Sequence, residues 1–474
     1  MPTIVVIGGV AAGTSAASQA TRRLPGAEVI LLERGAAVSY GACGIPYNLQ
    51  DPLRLIEDLV VVSAEKFREE RHVDVRLRHQ VLAIEPGARR LRVSDLAQSK
   101  EYALEYDELV ISTGASAVPI DVPGHDLPGV FLLRELSDGA DIKRYLAEFK
   151  PRSAIIVGGG YIGMEMAESL RARGLSVRVL EKSDGVIPGF DPQIVQLVRD
   201  ELVQHEVAVE TGIQLKSIER TGESPSLSVH TDRARFTTDL VLIATGIKPN
   251  VDLAKAAGVR LGASGAIAVD DHQRTNLPHI FAAGDCAEAT HRVTGKQVWI
   301  PLGTTANRQG KVAGANAVGG DERHAGVVGT GIFRVFEMQV ARTGLGPSDL
   351  KKLGIDAVVA GSKSYSRASS VPGGKLIRTV LFVERGSGRL LGAQMAGHDG
   401  VGGRIDVFAT ALSAGMTVQQ IEGLDFAYAP PFAPVYDPIS IAATVAKKAL
   451  KDSTNEKSEN SAKKEKSGDG ERDG

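Results

Sequence analysis

The chain has 474 residues and is almost neutral, with 55 lysines and arginines against 57 aspartates and glutamates. This length allows roughly two to four domains, and the charge balance argues against nucleic acid or an anionic membrane as a main partner. Two cysteines cannot form a disulfide framework and fit a reducing compartment, and no apolar run is long enough to span a bilayer. We therefore predict a cytoplasmic protein without a nucleic-acid or membrane partner.

The first predicted elements form a βαβ unit. A buried strand over residues 3–7 leads into a glycine turn from Gly8 to Gly13, then a helix, and then a second strand that ends at Glu33. This order is typical of a dinucleotide site, with the pyrophosphate at the helix N-terminus and the acid on the adenosine ribose. Val10 stands where the fingerprint has its second glycine.

Cys43 follows in the stretch 39–49, with sequence SYGACGIPYNL. Pro46 suits the first turn of a helix, and a thiol at a helix N-terminus is favoured as the thiolate. Taken alone, this stretch fits a buried structural cysteine better. The dinucleotide fingerprints on either side favour a redox role instead.

A second βαβ unit matches the fingerprint fully at Gly158, Gly160 and Gly163. Its second strand ends at Glu181, which accepts from a free ribose 2′-hydroxyl and repels a 2′-phosphate, so NADH is favoured over NADPH. Lys182, the next residue, weakens this preference, and NADPH stays possible.

Two strands end in Thr-Gly turns that let the backbone approach a cofactor closely. A later strand ends in an acid suited to the sugar-alcohol chain of a flavin nucleotide, and Cys286 beside it is predicted to be a small packed residue. The residues at these strand ends are Thr113, Gly114, Gly246 and Asp285.

Together these motifs resemble the FAD-dependent pyridine nucleotide-disulfide oxidoreductases over roughly residues 1–448. The resemblance implies an α/β protein with two Rossmann-like dinucleotide-binding domains, for FAD and NAD, and a C-terminal α+β domain that forms a homodimer. The implied boundaries are 1–114 with 247–320 for FAD, 115–246 for NAD(P)H and 321–448 for dimerisation, before a disordered charged tail over 449–474. We predict no metal site.

The cysteine pattern then separates branches of that family. Pro46 and Asn48 stand where other branches place a second cysteine. The lone thiol resembles the branch of coenzyme A-disulfide reductases, NADH oxidases and NADH peroxidases, and both the Cys43 stretch and residues 426–438 resemble the reductases. Val10 replaces the histidine of peroxidases, which disfavours that activity.

The resemblance also implies site residues. Tyr428 would donate a proton in the partner subunit's active site, although it also fits a packing role, and Val371 replaces a tyrosine of the reductases. Tyr161 and Glu165 would shield the flavin and contact the nicotinamide. Residues implied to line a coenzyme A channel are Ser15, Gln19, Arg22, Ser39, Arg71 and Tyr436. Arg22 fits equally a favourable helix C-terminus.

Three functions stay open. The first is an NAD(P)H-dependent reductase of coenzyme A disulfide, persulfide or polysulfide, with coenzyme A or another small thiol as the partner of Cys43. The second is an NADH oxidase that reduces oxygen through a Cys43 sulfenic acid. The third is an NADH-sensing flavoprotein that acts as an interaction module.

Overall fold

The computed structural model describes residues 1–222 and 226–468, with side chains up to residue 453. The helices are α1 (Ala11–Arg23), α2 (Ile45–Gln50), α3 (Ala64–Arg71), α4 (Leu136–Phe149), α5 (Tyr161–Ala172), α6 (Pro192–Gln204), α7 (Asp252–Ala256), α8 (Gly303–Asn316), α9 (Pro347–Leu353), α10 (Val401–Ser413), α11 (Val418–Glu422) and α12 (Pro438–Gly468). Among the described residues, no helix combines the length and the apolar character needed to cross a bilayer.

The strands are β1 (Thr3–Ile7), β2 (Glu28–Glu33), β3 (Asp74–Leu77), β4 (His79–Glu85), β5 (Arg90–Asp95), β6 (Lys100–Glu105), β7 (Glu108–Ile111), β8 (Ala115–Ala117), β9 (Val130–Leu132), β10 (Ser153–Val157), β11 (Ser176–Glu181), β12 (Ala208–Thr211), β13 (Leu215–Arg220), β14 (Leu227–Thr231), β15 (Arg235–Thr238), β16 (Leu240–Ile243), β17 (Ile247–Pro249), β18 (Ile280–Ala282), β19 (Ala289–Thr290), β20 (Gln297–Val298), β21 (Gly331–Val335), β22 (Met338–Gly344), β23 (Ala357–Tyr365), β24 (Leu376–Glu384) and β25 (Leu390–Gly397).

The chain divides into two compact units, of which the first comprises residues 1–184 and 206–327. It contains two five-stranded parallel sheets, in the orders β18-β7-β1-β2-β3 and β12-β11-β10-β16-β9. Their central strands are apolar because both faces of each sheet are covered. One face of the first sheet packs against the antiparallel sheet β4-β5-β6, and one face of the second packs against β13-β14-β15. The mixed α/β fold with two dinucleotide-type sheets is therefore as predicted.

Small residues bring α1 and α8 into close contact in this unit. A Cβ placed on Gly310 would lie 2.2 Å from the carbonyl oxygen of Ala12, and one on Gly314 would lie 2.1 Å from that of Ala16. Any larger residue would push α8 away from α1, whose N-terminus follows the first glycine turn. The packing therefore fixes the position of that turn.

The second unit comprises residues 185–205 and the chain from residue 328 onward. Its five-stranded antiparallel sheet has the order β21-β22-β25-β24-β23. This unit includes residues 185–205, which contain α6, and the predicted boundaries of the NAD(P)H domain, 115–246, stay a prediction. Residues 185–205 belong to the second unit because Phe190 packs edge-on against Phe333 and the Asp191 N–H donates to Gln394 Oε1 at 2.6 Å.

The last helix extends into the predicted tail. The helix α12 continues to Gly468, through much of the segment predicted to be disordered. Lysine, glutamate and alanine are good helix formers and neither proline nor glycine occurs over residues 439–467, so extending a packed helix costs less than starting one. Residues 469–474 of that predicted tail lie outside the described residues.

Candidate active site

Cys43 lies in a short 3-10 turn, Ala42–Gly44, directly before α2, and its side chain is exposed. Ser39 begins this segment in a left-handed conformation with φ of 51°. Its N–H donates to the Gly9 carbonyl at 2.8 Å, and its carbonyl accepts from the Val61 N–H at 2.8 Å. The first bond ties the cysteine segment to the first glycine turn, and the second ties it to the chain at residue 61.

The helix α2 is held from two further sides. The Ser169 hydroxyl of α5 donates to the Pro46 carbonyl at 2.7 Å. At the other end of α2, the Lys143 ammonium of α4 donates to Asn48 Oδ1 at 2.8 Å and to the Asn48 carbonyl at 3.1 Å. Because carbonyls at a helix C-terminus lack partners within the helix, these contacts fix α2 and place Cys43 beside α5.

The surroundings raise the pKa of the Cys43 thiol, contrary to the thiolate expected from the helix N-terminus. The largest cause is desolvation, because protein atoms crowd the sulfur although the side chain reaches solvent, and the Glu165 carboxylate adds to it. Arg134 acts in the opposite direction. A backbone hydrogen bond at Cys43 also lowers the pKa, but it is the smallest of these effects.

Glu165 is the residue of α5 that faces the cysteine segment, and it accepts a hydrogen bond from the Tyr47 hydroxyl at 2.9 Å. Burial raises the pKa of Glu165 to about 7, against the opposing effect of the Tyr47 bond. Glu165 therefore changes its charge near neutral pH. Tyr47 was missed by the sequence analysis, although it lies within the stretch containing Cys43.

Replacing Glu165 by glutamine is expected to lower the pKa of Cys43. Above pH about 7 the wild-type carboxylate is ionised and opposes the thiolate, whereas below that pH it is neutral and has the charge of glutamine. The rate of Cys43 alkylation by iodoacetamide increases with pH as the thiolate forms. In Glu165→Gln this increase should begin at a lower pH than in the wild type, and in acid the rates of the two proteins should become equal.

The matched comparison is Arg134→Gln. Arg134 lowers the pKa of Cys43, so loss of the arginine charge should move the alkylation profile to higher pH. A profile unchanged or moved upward in Glu165→Gln would contradict this account of the Cys43 pKa.

Arg134 is a second residue that the sequence did not reveal. One guanidinium nitrogen donates to Asp285 Oδ2 at 2.6 Å and another to the Ala115 carbonyl at 3.0 Å. Trp299 Nε1 donates to the Asp285 carbonyl at 2.7 Å. The structure thus places Asp285 and a cation together near Cys43, from chain segments more than 90 residues apart.

The two predicted ribose acids make the same contact in both nucleotide units. Glu33 Oε2 accepts from the Gly9 N–H at 2.7 Å, and Glu181 Oε2 accepts from the Gly159 N–H at 2.6 Å. The other oxygen of Glu33 accepts from the Gly35 N–H at 2.7 Å, and burial raises the pKa of Glu33 in spite of both bonds. Each acid therefore fixes its glycine turn and keeps lone pairs for a further donor.

The glycine turns have the shape that a dinucleotide requires. A Cβ on Gly13 would lie 1.8 Å from the Gly8 carbonyl oxygen, and one on Gly163 would lie 2.1 Å from that of Gly158, so both turns are closed tightly. By contrast, no atom of the described chain lies within 4 Å of a Cβ placed on Gly160. The N-termini of α1 and α5 therefore carry turns that fit pyrophosphate groups.

Asn250 holds the first of the two Thr-Gly turns. Thr113 Oγ1 donates to the Asn250 carbonyl at 2.7 Å, and the Asn250 side chain donates to the Thr113 carbonyl at 2.8 Å. Gly114 and Gly246 both have positive φ, 68° and 116°, and a Cβ placed on either would meet no atom of the described chain within 4 Å. Asn250 was not singled out from the sequence.

Three of the predicted substrate residues lie along one face of α1. Ser15 and Gln19 are half-buried and Arg22 is exposed, and Arg22 donates to Gln19 Oε1 at 3.1 Å. Ser15 donates to Asn307 Oδ1 of α8 at 2.8 Å. Arg71 of α3 is exposed and reaches Ser18 of α1 at 2.8 Å, so both arginines border the same helix.

The remaining predicted residues are divided between the two units. Cys286 is fully buried and its thiol donates to backbone carbonyls of the first unit, as expected for a packed residue. In the second unit, Tyr428 and Tyr436 are exposed, and Val371 lies in the turn between β23 and β24. Tyr161 begins α5 and is half-buried.

The chain belongs to the pyridine nucleotide-disulphide oxidoreductase family, whose model matches residues 2–310. The dimerisation domain of the same family matches residues 331–438. Members of this family depend on FAD and on NADH or NADPH, so the chain binds a flavin and a nicotinamide dinucleotide. This confirms the fold class, the enzyme class and the cofactors predicted from the sequence.

Individual relatives cover nearly the whole chain. It is 37% identical over 445 residues to the NAD(P)H coenzyme A polysulfide/persulfide reductase of Pyrococcus horikoshii, covering 94% of this chain and 98% of that protein. It is 32% identical to the NADH oxidase of Methanocaldococcus jannaschii, covering 94% and 99% of the two chains. The NAD-dependent persulfide reductase of A. fulgidus superposes with a TM-score of 0.90, at 36% identity, over 94% of this chain and 83% of that one.

Proposed function

We propose that the protein is an NAD(P)H-dependent reductase of coenzyme A-linked disulfide, persulfide or polysulfide sulfur, with Cys43 as its redox residue. The observation that supports this most is a single exposed thiol with the other cysteine fully buried. A second sulfur must therefore come from outside the chain. The name of the Pyrococcus horikoshii relative agrees with this substrate class.

The chain's own chemistry begins with deprotonation of Cys43. Its thiolate attacks one sulfur of coenzyme A disulfide, a bond forms between Cys43 Sγ and that sulfur, and the other coenzyme A leaves as a thiolate that takes up a proton. Bound FAD supplies the reducing equivalents, two electrons that originate from NADH or NADPH. The mixed disulfide is thereby cleaved, Cys43 is regenerated and the second coenzyme A is released.

A proton donor for the leaving thiolate is assigned to Tyr428 of the partner subunit in a homodimer. Tyr428 is exposed in the second unit, within a segment that also exposes Phe432 and Tyr436. An exposed run of aromatic side chains is typical of an interface. The related reductases have a second tyrosine where this chain has Val371, and the two tyrosines would act together as proton donors. In this proposal Tyr428 is therefore the single proton donor.

Recognition of coenzyme A is assigned to the face formed by α1 and α3. Coenzyme A carries several phosphate charges, and Arg22 and Arg71 present exposed guanidinium groups beside the half-buried Ser15 and Gln19. Arginine is well suited to bind phosphate because its planar group donates two parallel hydrogen bonds. Ser39 completes this proposed substrate site within the first unit, whereas Tyr436 belongs to the second unit.

Oxygen reduction is the second candidate, favoured by the 32% identity to an NADH oxidase and by the exposure of Cys43. A Cys43 sulfenic acid would then replace the mixed disulfide. Val10 occupies the position expected for a peroxidase-type histidine, so no base is assigned beside such a sulfenic acid.

Intact mass spectrometry of the protein, purified without reductant, distinguishes the two functions. We expect a coenzyme A adduct that maps to Cys43 and disappears on addition of NADH. Stopped-flow mixing of the reduced protein should then give faster reoxidation by coenzyme A disulfide or persulfide than by oxygen. Rapid reoxidation by oxygen alone, with a sulfenic acid on Cys43, would support the oxidase and reject the reductase as the main activity.

A further inference from the structure

Four side chains of the second unit converge on one point. Glu201 and His205 lie one helical turn apart at the C-terminal end of α6, Glu337 lies in the turn between β21 and β22, and His398 follows β25. His205 Nε2 is 3.6 Å from Glu201 Oε1 and 3.2 Å from Glu337 Oε2. His398 Nε2 is 2.9 Å from the other oxygen, Glu201 Oε2.

The Glu201 carboxylate points to a missing partner at this place. Its side chain is only 3% exposed, and within the described part of the chain Oε1 has no hydrogen-bond partner. A buried carboxylate oxygen without a partner is costly, and such groups are normally paired or bound to metal. The unsatisfied oxygen faces the ring nitrogen of His205.

We propose that Glu201, His205 and Glu337 bind a divalent transition cation, for which Zn²⁺ is the best match. Bond lengths of about 2.0–2.1 Å in tetrahedral geometry place the ligand atoms about 3.3 Å from one another. The measured separations of 3.6 and 3.2 Å lie on either side of this value. The three ligand atoms all lie within 4.8 Å of one another, which one ion can span.

Two neighbours orient these ligands. His398 donates to Glu201 Oε2, which leaves Oε1 free to face the ion. The ring of Phe336 stacks on that of His205, with 3.8 Å between centroids and 5° between planes. Outer contacts of this kind fix the direction of a ligand and strengthen metal binding.

The mixture of one imidazole and two carboxylates suits Zn²⁺ better than the all-oxygen shells of Ca²⁺ or Mg²⁺. A water would complete four-coordination. The ion would join α6 to the turn between β21 and β22, and so hold residues 185–205 within the unit that carries the dimerisation domain.

The rival explanation is that His205 contacts the two carboxylates directly and that no metal is bound. Calorimetric titration with Zn²⁺ separates the two. The sample is the full-length, untagged, FAD-loaded chain carrying Cys43→Ser, because a thiolate at residue 43 would itself bind zinc. After treatment with a chelator and its removal, we expect one equivalent of Zn²⁺ to bind per chain and the melting temperature to rise with zinc concentration.

In that background, His205→Gln and Glu337→Gln should each raise the zinc Kd at least about tenfold, and His398→Gln should raise it about 10- to 100-fold. The matched control is His230→Gln, since His230 Nε2 lies 3.4 Å from Glu219 Oε2 in a pair within the first unit, and it should leave the Kd unchanged. Because the Glu337 side chain is 73% exposed, Glu337→Gln should fold normally, and a change in its zinc Kd then reports on zinc binding and not on folding. Absence of saturable binding, or binding in Glu337→Gln equal to that in His230→Gln, would overturn the proposal.

Discussion

Replacement of Cys43 by serine is expected to lower the rate of coenzyme A disulfide or persulfide reduction by at least about 10³-fold. Serine keeps the size of the side chain but cannot form a disulfide, and its hydroxyl is hardly ionised near neutral pH. Because Cys43 is exposed, the substitution leaves no cavity in the fold. The loss should therefore fall on kcat for the sulfur acceptor and not on stability.

Three measurements isolate this effect. FAD content and the melting temperature should match the wild type, and NADH-dependent reduction of ferricyanide, which needs no thiol, should be retained. The control is Cys286→Ala, which removes the buried cysteine and should keep sulfur reduction. Sulfur reduction that survives in Cys43→Ser at a rate near the wild type would show that the lone thiol is not the redox residue.

The local features of this fold were predictable because they depend on short-range patterns. The first strand was predicted over residues 3–7, which are its bounds in the structure, and both glycine turns lie between a strand and a helix as expected. Alternating or continuous apolar runs and glycines at positive φ act within ten residues or so. These signals were enough to define both nucleotide units.

The electrostatics of the site were not predictable in the same way. Arg134 reaches Asp285 across 151 positions of the chain, and Tyr47 reaches Glu165 across 118. The prediction for the Cys43 thiol was wrong in sign because it considered only the adjacent helix and not the burial or the Glu165 charge. Glu201 and His205 are four residues apart, a spacing that suits two metal ligands on one helix face. The sequence around α6 does not show, however, that Glu337 and His398, which contact them, come from the chain beyond residue 328.

The nicotinamide site offers a substitution that separates folding from function. Gly160 has φ of −78° and ψ of −171°, a conformation that alanine adopts without strain, and no described atom lies within 4 Å of the added Cβ. Gly158 is the opposite case, because its φ is 114° and a Cβ would lie 2.3 Å from the Ala244 carbonyl oxygen. Alanine at 158 should disturb the fold, whereas alanine at 160 should not.

Gly160→Ala is therefore expected to lower kcat/KM for NADH about 10²-fold while FAD stays bound. In a dinucleotide fingerprint the second glycine lets the backbone approach the pyrophosphate, so a methyl group in the open space beside Gly160 is expected to displace the nucleotide. The melting temperature should change little, because reduced freedom of the unfolded chain stabilises by about 0.4–1 kcal/mol and loss of glycine at the N-cap costs a similar amount.

The control is Gly87→Ala, at another open position in the 3-10 turn Pro86–Ala88, which should leave kcat/KM unchanged. Equal kinetics for the two variants would mean that the pyrophosphate does not approach the turn at Gly160, and the proposed nicotinamide site would have to be moved.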